Sequence, residues 1–319
     1  MQENKETVLV IAPPRSGTTW IANVLTKNTD YEYVHEPDNE LINFFGFYYK
    51  NGLERFPYIK EKSKFNKFFK IFCTSCQFWI KTESNKNVFL NKLANVSKDK
   101  LEKQVKSTRH TYYKFKFWLK VVFLLGWLIK KKKKKTPCLI KSVHAHLSLP
   151  AIVEYTNLKP LIIFRHPCAI IASMIRLKLP DIDRKLYENP QIWKDFIEPY
   201  KENFYKLNDE HEFYGFQVGL FHYVLNQYIK NFNYFYVKYE DFYPEPVTKF
   251  KEIFNHFGIE FTDETKNYIM SKNKKGVGFK TNRDISSQIN QWQKELSKNQ
   301  IEKIMKGYYV FPNQHLYTV

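Results

Sequence analysis

The chain has only four cysteines in 319 residues, too few for a disulfide-built fold, and a chain this long can bury a core without one. Cys73 and Cys76 form a lone C-x-x-C in an aromatic stretch. A zinc site needs two more ligands, and Cys138 and Cys168 lie far off without paired spacing. The expectation is packed thiols in a reducing, cytoplasmic setting, and no metal. No apolar run reaches the ~20 residues that span a bilayer. The strongest candidate, "FWLKVVFLLGWLI" at 117–129, is 13 residues long and interrupted by Lys120. The opening "MQENKET" is polar and runs straight into an apolar segment, so no leader is expected. Internal repeats and Gly/Ser linkers are missing too, which favours a single domain over 1–319. Acidic residues are outnumbered, 32 Asp and Glu against 51 Lys and Arg, for a net charge of +19.

That charge favours an anionic ligand, an acidic polymer or an anionic membrane surface, or else only a solvated exterior. Its densest cluster, the six lysines 130–135, follows the 117–129 stretch. The pair fits an interfacial helix with lysines on anionic headgroups. It fits equally a core or lid helix ending in a basic loop. Hydrophobic residues at 43% exclude general disorder. Short apolar runs at 7–12, 31–35, 138–141, 160–164 and 234–239 read as buried strands. Helical spacing in "TTWIANVLTKN" and "CAIIASMIRL" fills two of the gaps. Strands alternating with helices predict an α/β three-layer sandwich around a doubly wound parallel sheet. Residues 42–136, aromatic and Lys-rich, read as a helical lid inserted over that sheet.

Ligands of such sheets bind beyond the carboxyl ends of the strands. After the first strand stand Pro13, Pro14, Arg15, Ser16, Gly17, Thr18, Thr19 and Trp20. Gly17 permits close backbone approach to an oxyanion, amides and hydroxyls donate to it, and Arg15 adds a planar charged fork. A strand-to-helix turn capped by Ser16 or Thr18 is the structural alternative. The loop is not the G-x-x-x-x-G-K-[ST] of nucleotide hydrolases. After the second strand comes "HEP", with Glu36 placed as a general base or as an ordinary cap. After the third comes "KSVHAH": Lys141 can neutralise charge, His144 can serve as acid, base or orienting donor, and His146 reads as structural. After the fourth come Arg165 and, eight residues on, Ser173, with Pro167 suited to the first helical turn between them. Together they can clasp a second phosphate, unless a buried carboxylate pairs with Arg165. A strand feeding a Mg²⁺ site would end in Asp; this one ends in Arg.

These motifs resemble the PAPS-dependent sulfotransferases, whose sheet is related to that of P-loop NTPases. "PPRSGTTW" is similar to their 5′-phosphosulfate loop, and "RHPCAIIAS" to their 3′-phosphate motif. "KYEDF" resembles a segment whose Tyr, here Tyr239, lies by the adenine. "HEP", "KSVHAHLSLP" and "QWQKELSKNQIEKI" are similar to the carbohydrate and bacterial branches. The resemblance spans roughly residues 8–310 and implies transfer of a sulfuryl group from 3′-phosphoadenosine 5′-phosphosulfate (PAPS) to a hydroxyl on a glycan or lipid-linked acceptor, without a metal. It implies cofactor contacts from Arg15, Ser16, Gly17, Thr18, Thr19, Trp20, Arg165, Ser173 and Tyr239. "NKKGVGFKTNRDISSQINQW" departs in order from the basic C-terminal segment of the cytosolic type, and within it Lys275, Lys280 and Arg283 are candidates for the 3′-phosphate. Glu36 is the favoured base because "HEP" follows the loop as in the carbohydrate branches, and His144 competes with it. A kinase or nucleotide hydrolase, and a basic module binding membrane or nucleic acid, are the alternative functions.

Overall fold

The computed structural model describes residues 6–39, 46, 50, 53–60, 68–69, 71–72, 137–179, 183, 185–272 and 289–318. The basic segment with Lys275, Lys280 and Arg283, the Cys73/Cys76 pair, the 117–135 stretch and most of the expected lid lie outside them. Strands β1 (Val8–Ile11), β2 (Glu32–His35), β3 (Cys138–Ser142), β4 (Lys159–Phe164) and β5 (Phe235–Lys238) form one parallel sheet in the order β2-β3-β1-β4-β5. Its register sets Ile11 beside Ser142 and Ile162, and His35 beside Lys141. Each strand coincides with one of the apolar runs. The central strands β1, β3 and β4 are buried on both faces and read as continuous hydrophobic stretches, while the edge strands β2 and β5 are only partly buried.

Successive side chains of a strand point to opposite faces, and two cores result. Val8, Val10, Leu139, Leu161, Ile163 and Val237 pack against helix α1 (Thr18–Thr26) and the later C-terminal helices. Leu9, Ile11, Ile140, Ile162 and Phe164 pack on the other side. There they meet α2 (Leu149–Thr156), α3 (Pro167–Arg176) and α4 (Glu210–Phe232). Phe56, Phe68, Phe69 and Phe72 join this second core, so the described part of the 42–136 segment is packed into the body of the protein. Helices α5 (Pro246–His256) and α6 (Asp263–Lys272) lie on the α1 side, and α7 (Lys298–Tyr308) on the α4 side.

The connection from β1 runs to β2 on one side of the sheet, while that from β4 runs to β5 on the other. Adjacent strands whose chains leave in opposite directions open a crevice at their carboxyl ends. The Arg15 loop and the Arg165 corner both stand at that crevice. It is buttressed from behind by α4 and α7, which cross at bare backbone. A Cβ at Gly215 would lie 1.9 Å from the Ile304 carbonyl oxygen, and one at Gly307 would lie 1.8 Å from that of Glu212. Lys303–Asp209 (2.6 Å) and Lys306–Glu212 (2.7 Å) pin the crossing. Beyond α7 the chain returns to the sheet edge, where Lys238 Nζ donates to the Leu316 carbonyl (2.8 Å) and the Tyr317 hydroxyl to Glu240 Oε2 (2.7 Å). Among the described residues no helix is long and apolar enough to cross a membrane.

Candidate active site

The loop after β1 is left-handed at Arg15 (φ 70°) and at Gly17 (φ 84°), the N-cap of α1. An L-residue pays roughly 1–2 kcal/mol for that backbone, and glycine avoids it. Gly17 is also pressed against Tyr239: a Cβ there would sit 2.4 Å from the ring's Cε2. Neither Ser16 nor Thr18 caps the helix, since α1 has no side-chain cap bond. Ser16 is fully buried, and among the described residues its hydroxyl has no hydrogen-bond partner. The first amides of a helix have no intrahelical acceptor either. Buried donors without acceptors at a helix start, with glycine letting the backbone approach, fit an oxyanion.

The corner after β4 interlocks with this loop. Arg15 Nε donates to Ser173 Oγ on α3 (3.1 Å), and Arg165 donates to the Arg15 carbonyl (2.9 Å). The Arg165 guanidinium carbon lies 4.4 Å from the centre of the Tyr239 ring, a cation–π contact. Among the described residues its buried Nε has no partner and no carboxylate pairs with it. The corner is held from both flanks. Pro167 takes the first turn of α3 as expected, and His166 Nδ1 caps the helix by accepting from the Cys168 amide (3.2 Å). Glu240 accepts the His166 amide (2.9 Å), and Trp292 stacks on the His166 ring at 4.4 Å. Trp20 and Tyr239 are themselves buried, Trp20 against Phe242 and Phe250. Tyr239 is wedged between Gly17 and Arg165, and so joins the two anion-ready corners.

At the ends of β2 and β3 the chemistry differs. The Glu36 amide donates to the Lys141 carbonyl (2.7 Å), and the Lys141 ammonium pairs with Glu36 Oε1. Asn39 donates to Oε2 (2.6 Å), and His35 Nε2 lies 3.9 Å from Oε1. Burial alone would raise the Glu36 pKa, but the Lys141 charge and the hydrogen bonds from Lys141 and Asn39 hold it well below the usual carboxylate range. Glu36 is also left-handed, at φ 41°. Three of the other non-glycine residues of positive φ among those described are asparagines, which tolerate it. Arg15 and Glu36 are the two at strand carboxyl ends, and unusual backbone at such a place is a pointer to function.

Two groups that motif reading passed over complete this side. Ser142 Oγ donates to Asp38 Oδ2 (2.7 Å) and accepts the amides of His144 (3.3 Å) and Ala145 (3.2 Å). The pair ties the "HEP" turn to the "KSVHAH" turn across 104 residues of sequence. Asp38 is fully buried, and burial first, with Glu36 adding to it, raises its pKa to about 6. His144 is buried with Nδ1 unpartnered, and burial drives its pKa well below 6.5, so its imidazole is neutral. His146 is buried edge-on to Phe221 at 4.0 Å, consistent with a structural part. The structure thus brings Arg15, Ser16, Gly17, Thr18, Arg165, Ser173 and Tyr239 together at one crevice, and sets Glu36, Lys141 and His144 beside it.

The family model described as "Sulfotransferase family" matches residues 7–263. No curated protein matches the chain. Among solved structures it is similar to a mouse sulfotransferase, SULT7A1, complexed with PAP, at 12% identity and a TM-score of 0.43, covering 96% of this chain and 84% of that one. It is also similar to the sulfotransferase domain of the Synechococcus PCC 7002 olefin synthase, at 14% identity and 0.44, covering 99% and 98%. The sulfotransferase domain from the curacin biosynthetic pathway matches at 13% identity and 0.48, covering 98% and 99%.

Proposed function

The chain belongs to the sulfotransferase family, enzymes that transfer sulfuryl groups, and on that premise we propose that it moves the sulfuryl group of PAPS to a hydroxyl acceptor by in-line displacement. The observation that carries the reading is the interlock of Arg15, Ser173 and Arg165 across β1 and β4, with a buried Glu36–Lys141 pair one strand away. PAPS supplies an activated sulfuryl group on a phosphate leaving group. In this reading the Ser16 hydroxyl, the amides of Gly17, Thr18 and Thr19, and the Arg15 guanidinium hold the 5′ end. They oppose the charge that grows on the departing phosphate, as preorganised donors do. Arg165 and Ser173 hold the 3′-phosphate, and a donor gripped at both ends is fixed in line with its acceptor. Tyr239 acts from behind, keeping Gly17 and Arg165 in place, and Trp20 packs in the core against Tyr239.

Glu36 is the base. Its carboxylate is ionised at neutral pH, so it accepts the acceptor's hydroxyl proton as the new S–O bond forms, and the old S–O bond breaks toward the phosphate. Lys141 keeps Glu36 charged and oriented. The acceptor is a glycan or lipid-linked hydroxyl, met on the side of residues 42–136. One domain over 1–319 and a cytoplasmic setting, peripheral to membrane through 117–135, complete the proposal. Incubation with radiolabelled PAPS and fractionated glycans and lipids tests it. Label should pass to a glycan or lipid fraction, and a protein that neither binds PAPS nor is stabilised by it would end the reading.

A further inference from the structure

Beside Glu36 stands a group of cations that the transfer itself does not use. Arg55 is half-buried, and its Nε is sealed from solvent with no hydrogen-bond partner among the described residues. Among the described residues its guanidinium has no carboxylate partner either. It lies over the Phe56 ring, 5.5 Å from the centroid, and the His144 ring contacts the same ring at 5.5 Å. Lys50 is buried, and its ammonium donates to the Arg55 carbonyl (2.8 Å). The His144 imidazole is within electrostatic reach of Lys50, Arg55 and Glu36 alike, and its own buried Nδ1 is unpartnered. A buried guanidinium nitrogen left without an acceptor costs free energy that an anion would return.

We propose that Arg55, Lys50 and His144 form an acceptor subsite for an anionic group, so that the substrate is a hydroxyl compound carrying a carboxylate, phosphate or sulfate close to the hydroxyl that is sulfated. Arg55 takes the anion with its planar fork, Lys50 adds charge from behind, and His144 donates or accepts at Nδ1 according to its tautomer. The inference rests on Glu36 marking the reacting end, and it narrows the acceptor from any hydroxyl to one flanked by negative charge.

The test uses the full chain saturated with PAP and follows its melting temperature as 4-nitrophenyl β-D-glucuronide or the matching glucoside is added. The glucuronide should raise the melting temperature further, the glucoside should not, and Arg55→Ala should lose the glucuronide increment while keeping that of PAP. Arg55→Lys, which keeps the charge but not the fork, should retain part of it and guards against a folding defect in Arg55→Ala. Equal increments from both glycosides, no glucuronide increment, an increment untouched by Arg55→Ala, or an equal increment from inorganic sulfate would overturn the subsite. Loss of the PAP increment in the native protein would instead overturn the donor reading.

Discussion

The two halves of the sheet's carboxyl edge are built on opposite electrostatic plans. At β2 and β3 the charges are answered from within: Lys141 pairs with Glu36, Asn39 bonds Glu36, and Ser142 bonds Asp38. At β1 and β4 the cation Arg165 rests on a carbonyl and an aromatic ring, and among the described residues the Ser16 hydroxyl has no partner. The charged groups of the first half have partners within the protein, whereas in the second, among the described residues, Arg165 Nε and the Ser16 hydroxyl have none. Buried donors without acceptors are costly, and in the proposed reading an arriving anion satisfies those of the second half. The first is organised around keeping one carboxylate charged.

Four substitutions break or sharpen this contrast. Glu36→Gln removes the proposed base and leaves the anion-ready half intact. Steady-state kinetics should show kcat falling ~10²- to 10⁴-fold with PAP affinity unchanged, whereas full turnover would move the base to His144. Gly17→Ala strikes the other half, forcing a Cβ against the Tyr239 ring at a left-handed backbone. Overpacking of this kind costs about 1–3 kcal/mol, and calorimetry should find PAP binding weakened while the Glu36–Lys141 side is spared.

Ser142→Ala leaves Asp38 and the amides of His144 and Ala145 short of a partner, a loss of about 1–3 kcal/mol in denaturant unfolding. PAP affinity should hold. The smallest effect is in the pH dependence of stability. Asp38 in the folded protein titrates at about 6, above its ordinary 3.8. Between those values the fold holds a proton that the unfolded chain has released. The contribution of Asp38 is therefore fullest below 3.8 and falls away as pH rises through 6. Glu36 runs the other way: held low, it stabilises above the usual carboxylate range and loses that effect as pH falls. Asp38→Asn should abolish the decline between pH 4 and 6 and leave the acid-side loss in place; an unchanged profile would show that Asp38 is not the group responsible.

Much of the architecture was legible in the chain because a parallel sheet whose central strands are buried on both faces writes its strands as short apolar runs. All five coincide with observed strands, and the residues after β1, β2, β3 and β4 are the ones the fold gathers. What escaped was contact between distant segments. The Asp38–Ser142 bond joins two turns that carry no shared motif, and the Gly215–Gly307 crossing of α4 and α7 depends on two isolated glycines. Trp20 and Tyr239 drew notice as aromatics beside phosphate motifs, yet spacing alone does not reveal that both rings are buried, one in the core and one as a wedge. Arg55 has no neighbour in sequence to mark it; only its unpartnered nitrogen does.

The central claim is that the β1 and β4 corners form one grip for a nucleotide bearing two anionic ends. The direct measurement is titration calorimetry of the protein with PAP and with adenosine 5′-monophosphate, which differs from it only in lacking the 3′-phosphate, in native and Arg165→Ala forms. Truncating a buried charge in such a contact costs about 2–5 kcal/mol, so PAP should bind the native protein at least about 30-fold more tightly, and Arg165→Ala should erase that preference. Equal affinity for the two nucleotides, or a preference that survives Arg165→Ala, would contradict the account.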